Sequence, residues 1–516
     1  MSVPAPGSIE FWAADKPSGI AVIEGDRYQT WSSLNEQANR LAHGLAAKGI
    51  KAGDIVVVRT QIRLEWPVIS AALGKLGCSL LGLNWRLTPT ETKYVLSNSG
   101  AQAIICDDPD PSPLLSAFQG LPIKLAVSID AVIPDFVAYS ELLQGASDPL
   151  FAKANPSLIL YTSGTTGLPK GVASVLQASS QMDARTAEYL GDVGSTRRSV
   201  PGSVVLLTLP MHHGAGPSHV WGAVQAGNPV VLMRRFDPEE VLKLIQRHKI
   251  TNWTGVPTMY KRIAALPPET LGSYDVSSIK ALAVGAAPVP FSLKKWIIDY
   301  FGPGRLAEAY GATEVGMISF LPPEMQTTKP GSSGLPHKHV DISIRDENGS
   351  ELPIGQVGEI WIRTPTTIRQ YLNAKPLGPD TLDADGFFRV GDVGMMDDDG
   401  YLFITDRAKD MIIAGGVNIY PAEIEAAILQ HPAIQDVAVI GIPDEEFGEQ
   451  VKAFCELKPG RDVDETSLIA YCRESLASYK RPKTIEFMRE LPRNTMGKLL
   501  KRELREPYWK GRERNV

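Results

Sequence analysis

The run Tyr161-Thr162-Ser163-Gly164-Thr165-Thr166-Gly167-Leu168-Pro169-Lys170-Gly171 gathers hydroxyls, glycines and one lysine after the apolar stretch Leu158-Ile159-Leu160. Glycine lets a backbone approach a ligand closely, and turned N–H groups form an anion-binding concavity. The hydroxyls of Thr162, Ser163, Thr165 and Thr166 add donors, and Lys170 adds a point charge suited to phosphate. Such a set could hold a phosphate-bearing ligand such as ATP. It is not the G-x-x-x-x-G-K-[ST] loop. Gly164 and Gly167 are too close together, Lys170 does not follow a glycine, and Gly171 stands where Ser or Thr is required. Alone, the run reads equally well as a solvated surface loop. Its weight comes from downstream residues.

Gly285-Ala286-Ala287-Pro288 follows the apolar Ala281-Leu282-Ala283-Val284, a strand-end loop where open α/β sheets bind ligands. Tyr310-Gly311-Ala312-Thr313-Glu314 offers an aromatic face for a base, a hydroxyl, and a carboxylate able to hold Mg²⁺. Gly391-Asp392 reads as a turn before a strand, with a carboxylate that could accept two ribose hydroxyls. Pro492-Arg493-Asn494-Thr495-Met496-Gly497-Lys498 puts a second lysine on a glycine-containing loop. Taken singly, Asp392 is a turn residue, Tyr310 core, Glu314 a solvated carboxylate, and Lys498 part of a basic face with Lys501, Arg502 and Arg505. Two other patterns carry no chemistry. Gly302-Pro303-Gly304-Arg305-Leu306-Ala307 follows an expected helix at Lys295–Phe301, so the strand that a dinucleotide fingerprint needs is missing. His212, His213 and His219 lack a carboxylate or cysteine to complete a zinc site.

These runs need a parallel α/β frame. Ser33 and Glu36 have capping-box spacing, and Leu34, Ala38, Leu41, Ala42 and Leu45 form a helical stripe ended by Gly49. Ile55–Val58 reads as a buried strand, as does Val230–Met233. A helix follows with Asp237 as cap and Pro238 first, then a strand near Thr251–Trp253. Strand, helix, strand at this spacing implies a parallel sheet covered by helices. From about 330 to 405 short strands (Val340–Ile344, Glu359–Ile362) and the turn Asn348-Gly349 predict a small β-rich subdomain. The last hundred or so residues read as an α+β module: a helix from Pro421 carrying Ile424, Ala427 and Ile428, strands at Val437–Ile440 and Val451–Cys455, and a helix over about Glu465–Leu476. Asp406-Arg407-Ala408-Lys409-Asp410 is the expected joint. The division is 1–405, a link at 406–409, and 410–516.

A chain of 516 residues with 43% hydrophobic content implies two to four structural units. A net charge of −6 with no basic domain argues against nucleic-acid binding. Cys78, Cys106, Cys455 and Cys472 are scattered, without zinc or disulfide spacing, which fits a reducing compartment. No signal-peptide pattern, membrane-length apolar run or lipidation signal stands out, so a soluble cytoplasmic protein is expected.

With the segments in one line, the chain resembles the adenylate-forming superfamily of acyl-CoA synthetases, amino-acid adenylation domains and luciferases. The likeness covers essentially the whole chain: Tyr161–Gly171, Pro210–His213, Gly285–Pro288, Tyr310–Glu314, Phe388–Asp392, Tyr401–Arg407, Gly415–Glu425 and Pro492–Lys498, in family order. It implies a large N-terminal domain of parallel α/β subdomains with a β-rich subdomain, and a small mobile α+β C-terminal domain. It also implies an acid–thiol ligase: a carboxylic acid and ATP give acyl-AMP and pyrophosphate, and the acyl group then passes to CoA with Mg²⁺ as cofactor.

Residue by residue, the resemblance implies a pyrophosphate loop of Thr162, Ser163, Gly164, Thr165, Thr166, Gly167 and Lys170. Tyr310 stacks on adenine beside Gly285, Ala286 and Ala287, with Gly311 in the same motif. Thr313 contacts phosphate, Glu314 holds Mg²⁺, and Asp392 and Arg407 hold ribose. Lys498 bridges the carboxylate and the phosphate, and Glu314, Thr166 and His213 join it in the catalytic set. Lys409 is the hinge about which the C-terminal domain swings, bringing Gly415 and Gly416 to the CoA tunnel. His213, Gly214, Trp221 and Gly316 belong to the acyl pocket. The chain departs from many relatives in having Val175-Leu176 where they carry Thr-His. No acidic residue follows His213 to hold an α-ammonium, so an amino acid is not expected. Small Gly214, Ala215, Gly216 and Gly316 suggest a roomy pocket for a fatty, aryl or polycyclic acid, unless they serve only close packing. Loading of a separate carrier protein, a luciferase-like oxidation and an inactive nucleotide sensor are the alternatives.

Overall fold

A computed structural model describes residues 4–152, 156–162, 169–173, 183–196, 199–287, 289–407, 410–414, 417–445, 447–473, 476–494 and 497–510, with backbone alone at 406–407 and 417–418. The apolar stripe Leu34, Ala38, Leu41, Ala42 and Leu45 is fully buried along the helix Trp31–Ala47. The cap differs from the expected Ser33. Thr30 Oγ1 accepts from the Ser33 amide, and the buried Trp31 starts the helix three residues earlier. The helix Pro238–His248 has Asp237 as its cap and Pro238 at its first position, as read. Ile55–Arg59 is a strand, buried after its first residue.

Among the described residues the strands form three sheets. The first runs Val137–Ala138, Leu125–Ser128, Ala103–Cys106, Ile55–Arg59, Ser79–Gly82, Ser157–Thr162, Lys170–Ala173 and is parallel except at its last pair. The second has a parallel half containing Val230–Leu232, Val205–Leu207, Asn252–Gly255, Ala281–Gly285 and Leu306–Ala312. One large buried cluster, including Leu80, Leu158, Leu207 and Val231, spans both sheets.

The β-rich segment is not a separate sheet. Its strands Ser332–Pro336, Leu402–Arg407, Phe388–Met396, Gly358–Arg363 and Asp341–Arg345 continue the second sheet in antiparallel order through Phe320 opposite Leu335. Gly334 allows this junction: a Cβ there would lie 2.1 Å from the Phe320 carbonyl. Gly391-Asp392 lies inside the strand Phe388–Met396 and not before it, with Gly391 at φ +73.

The last module has its own core of Ile412, Ile424, Val437, Val451, Leu468 and neighbours. It carries the helix Pro421–Ile428, the paired strands Ile434–Asp444 and Gly448–Leu457, and the helix Glu465–Cys472, which ends before Leu476. Asp406 and Arg407 close the strand Leu402–Arg407, so the expected joint begins within a strand. No helix among the described residues is long and apolar enough to cross a membrane.

Candidate active site

The strand Ser157–Thr162 leads into the hydroxyl-rich run, and the strand Lys170–Ala173 leads out. Thr162 stands opposite Lys170, so the two ends of the run meet. The helix Pro89–Ser99 pins both flanks. Tyr161 Oη donates to Asn98 Oδ1 at 2.7 Å, and Tyr94 Oη donates to the Pro169 carbonyl at 3.0 Å. Thr88 and Glu91 cap that helix reciprocally. Burial pushes the Tyr161 phenol well above its ordinary range, so it stays neutral.

Glu314 faces this gateway. Its Oε1 accepts from Thr162 Oγ1 at 3.2 Å and from Tyr371 Oη at 3.4 Å, and Lys170 Nζ lies 5.0 Å from the centroid of the Tyr371 ring. Burial, then the Glu314 carboxylate, pushes the Tyr371 phenol up, keeping it a donor. Tyr371 was missed in the sequence. It sits on an irregular stretch with no period, whose only signal is the hydroxyl cluster Thr364, Thr366, Thr367. That stretch is stitched to the site: Ile368 N donates to the Glu314 carbonyl (3.0 Å), Leu372 N to the Gly171 carbonyl (2.7 Å), and Thr364 Oγ1 to the Val315 carbonyl (2.6 Å).

A second pair forms beside it. Tyr310 Oη donates to Asp392 Oδ2 at 2.5 Å, with Asp392 5% exposed and opposite Arg407 in the register. Gly285 lies next to Ala309 on the neighbouring strand, where a Cβ would meet the Ala309 carbonyl at 2.5 Å. Ala286 follows at φ +65, and Gly311 sits where a Cβ would meet the Gly316 carbonyl at 2.7 Å. Thr313 and Gly311 are exposed, and Ala287 is half-buried.

His213 and His212 have ring centroids 5.2 Å apart. Burial lowers His213 to about 4. Burial, then His213 and Arg86, lowers His212 to about 3, so both rings are neutral near pH 7. The small residues nearby have packing reasons. A Cβ on Gly216 would lie 2.3 Å from the Pro210 carbonyl, one on Gly316 would lie 2.7 Å from both Thr366 Oγ1 and Tyr189 Oη, and one on Gly214 would lie 3.3 Å from Leu160. The roomy pocket inferred from their size is therefore not opened at Gly216 or Gly316. Trp221 packs toward Trp66 and donates to Ser70 Oγ at 2.9 Å. His219 is held by the Ala215 carbonyl and Thr254 Oγ1.

The Lys498 loop rests on the large body. Thr258 Oγ1, on the helix Pro257–Ala264, donates to the Gly497 carbonyl at 3.0 Å, and the Asn494 side chain accepts from the Lys498 amide at 3.0 Å. Ser163, Gly164, Thr165, Thr166, Gly167, Val175, Leu176, Pro288, Lys409, Gly415, Gly416, Thr495 and Met496 lie outside the described residues, as does the Arg407 side chain.

Residues 9–372 match the model of the AMP-binding enzyme family, and residues 423–498 match that of the AMP-binding enzyme C-terminal domain. The chain is 33% identical to a fatty acid–[acyl-carrier-protein] ligase of Streptomyces coeruleorubidus over 98% of this chain and 96% of that protein. It is 34% identical to a 2-succinylbenzoate–CoA ligase of Bacillus licheniformis over 95% and 97%. The solved o-succinylbenzoate CoA synthetase of Bacillus subtilis, in complex with its acyl-adenylate intermediate, superposes with a TM-score of 0.80 at 29% identity, covering 98% of each chain. The chain belongs to the AMP-binding, adenylate-forming enzyme family. Within that family it is an acid–thiol ligase of the acyl-CoA synthetase branch.

Proposed function

We propose that the chain is an ATP-dependent carboxylic acid–CoA ligase acting on a hydrophobic acid: fatty, aryl or polycyclic. The observation that carries this is the convergence of Thr162, Lys170, Glu314 and Tyr371 at the mouth of the hydroxyl-rich run, with the Lys498 loop seated on the same body. The substrate carboxylate attacks the α-phosphorus of ATP, a P–O bond to pyrophosphate breaks, and an acyl-adenylate forms. The CoA thiolate then attacks the acyl carbon, and the C–O bond to AMP breaks. Two anions must meet in the first step, so preorganised positive charge is the main requirement. Lys170 and the run 162–167 hold the departing pyrophosphate, and Lys498 lies between carboxylate and phosphate.

Tyr310 stacks on adenine beside Gly285, Ala286 and Ala287. Thr313 contacts phosphate, and Asp392 with Arg407 takes the ribose hydroxyls. Both hydrogen bonds to the Glu314 carboxylate among the described residues go to Oε1, which leaves Oε2 suited to a hard cation, so the site fits Mg²⁺. Bound there, Mg²⁺ neutralises phosphate charge. Residues 1–405 form the ATP- and acid-binding domain, 406–409 the link with Lys409 as hinge, and 410–516 the moving domain. The separate core of the last module supports that division. Gly415 and Gly416 then line the CoA tunnel.

The neutral His213, with no carboxylate after it, supports an uncharged acid pocket near Gly214 and Trp221. Fatty and aromatic acids named for the relatives support the same class. A second reading, transfer to a separate carrier protein, is favoured by the carrier-protein ligase among those relatives. The deciding experiment is acid-dependent pyrophosphate release over a panel of acids, with CoA or with a phosphopantetheinylated carrier. An acyl-CoA product supports the ligase. Thioester on the carrier alone selects the second reading, and no release with any acid, despite ATP binding, overturns both.

A further inference from the structure

The helix Pro257–Ala264 presents Thr258 and Lys261 one turn apart, hence on one face. Each meets the last module. Thr258 Oγ1 donates to the Gly497 carbonyl, the residue before Lys498. Lys261 Nζ lies 2.9 Å from Asp436 Oδ1, on the strand Ile434–Asp444. Asp436 is also bound by Arg493 through Oδ2 and by the Val437 amide at 2.9 Å. Arg493 in turn donates to the Gly497 carbonyl at 2.8 Å. The side chains of Lys261, Asp436 and Arg493 are 18%, 9% and 17% exposed, so the cluster is largely shielded from solvent. Gly497 sits at φ +70, where a Cβ would lie 2.8 Å from Thr258 Oγ1. Only glycine brings that carbonyl so close.

Resting on the two-step reading above, we propose that Lys261 is a positioning residue. With Thr258 it docks Asp436, Arg493 and Gly497, and so sets how often Lys498 is in place for adenylation. Arg493 holds Asp436 to the Gly497 carbonyl within the small module, and Lys261 supplies a charge from the large body. A partly buried, charge-assisted pair shifts a two-state orientation without touching substrate. Movement of the module breaks the Lys261–Asp436 bond and leaves Asp436–Arg493 intact, so the module keeps its own neutralised pair in either orientation.

The test uses Lys261→Met, which keeps the side-chain stem and leaves the Asp436–Arg493 pair untouched, and Lys261→Met combined with Thr258→Val. Acid-dependent pyrophosphate release should fall about 5- to 30-fold, the population change expected for a pair of this strength. Thioester formation from supplied acyl-adenylate should stay within about twofold. A second readout is independent of activity. Spin labels on Val200→Cys and Tyr479→Cys, both exposed at sites where all four native cysteines are buried, report the separation of the two bodies. In the presence of ATP, Lys261→Met should deplete the distance seen in the parent. Unchanged adenylation and distances in the double variant, or equal loss of both half-reactions, overturns the proposal. If the parent itself releases no pyrophosphate, the ligase reading fails, while the label distances still decide the docking role.

Discussion

Glu314 holds the most exacting position in the site, because it accepts from Thr162 and Tyr371 on one oxygen while its proposed role is to hold a cation through the other. Glu314→Gln removes the charge but preserves shape, and adenylation should fall by about 10²-fold or more, with a raised Mg²⁺ requirement in the pyrophosphate-release assay. Tyr371→Phe removes only one long hydrogen bond, and a loss under about tenfold is expected in the same assay. His212 gives a pH prediction. Its folded pKa of about 3 lies below the unfolded value, so the unfolded chain binds the proton first as pH falls. The neutral ring carries no penalty above about pH 6.5, and stability is lost progressively from there toward pH 3. At pH 5 this amounts to about 2 kcal/mol, which urea midpoints of His212→Gln against the parent, at pH 7 and pH 5, would show as a smaller pH-dependent loss.

The helix Pro89–Ser99 touches no proposed substrate, yet it sets both flanks of the hydroxyl-rich run through Asn98 and Tyr94. Its capping box makes it testable as a unit. Thr88→Ala should cost about 1 kcal/mol by denaturant unfolding and raise the KM for ATP more than it lowers kcat. The helix Pro89–Ser99 went unread in the sequence, whereas Trp31–Ala47 was legible from its periodicity, as the buried stripe Leu34, Ala38, Leu41, Ala42, Leu45 shows, and Pro238–His248 from its cap. Two local readings failed for one reason. Ser33 lost the capping position to Thr30 because the buried Trp31 starts the helix. Gly391-Asp392 turned out to lie mid-strand because its neighbours pair on both sides. In both cases tertiary packing overrode a local turn signal.

The molecule places its second lysine on a module with a separate core, docked through Thr258 on one contact and Lys261 on another. On the proposed two-step reading, such an arrangement divides labour between half-reactions. Lys498→Ala should abolish acid-dependent pyrophosphate release while thioester formation from supplied acyl-adenylate persists. Full activity in both steps would remove Lys498 from the mechanism. Equal loss in a folded variant would remove the division of labour.

The amino-acid sequence by itself determined the chemistry each run can offer, since donors, glycines and carboxylates within a run are neighbours along the chain, and the order of the runs carried the resemblance that implies the reaction class. It also determined the α/β frame, because burial periodicity is local. Only the tertiary structure decided which runs meet: Tyr371 with Glu314 at 57 residues' separation, Tyr310 with Asp392 at 82, and Lys261 with Asp436 at 175. Those pairings depend on strand register, on the joining of the β-rich strands to the parallel sheet, and on the docking of one core against another. They arise from contacts between distant segments, which no local propensity encodes.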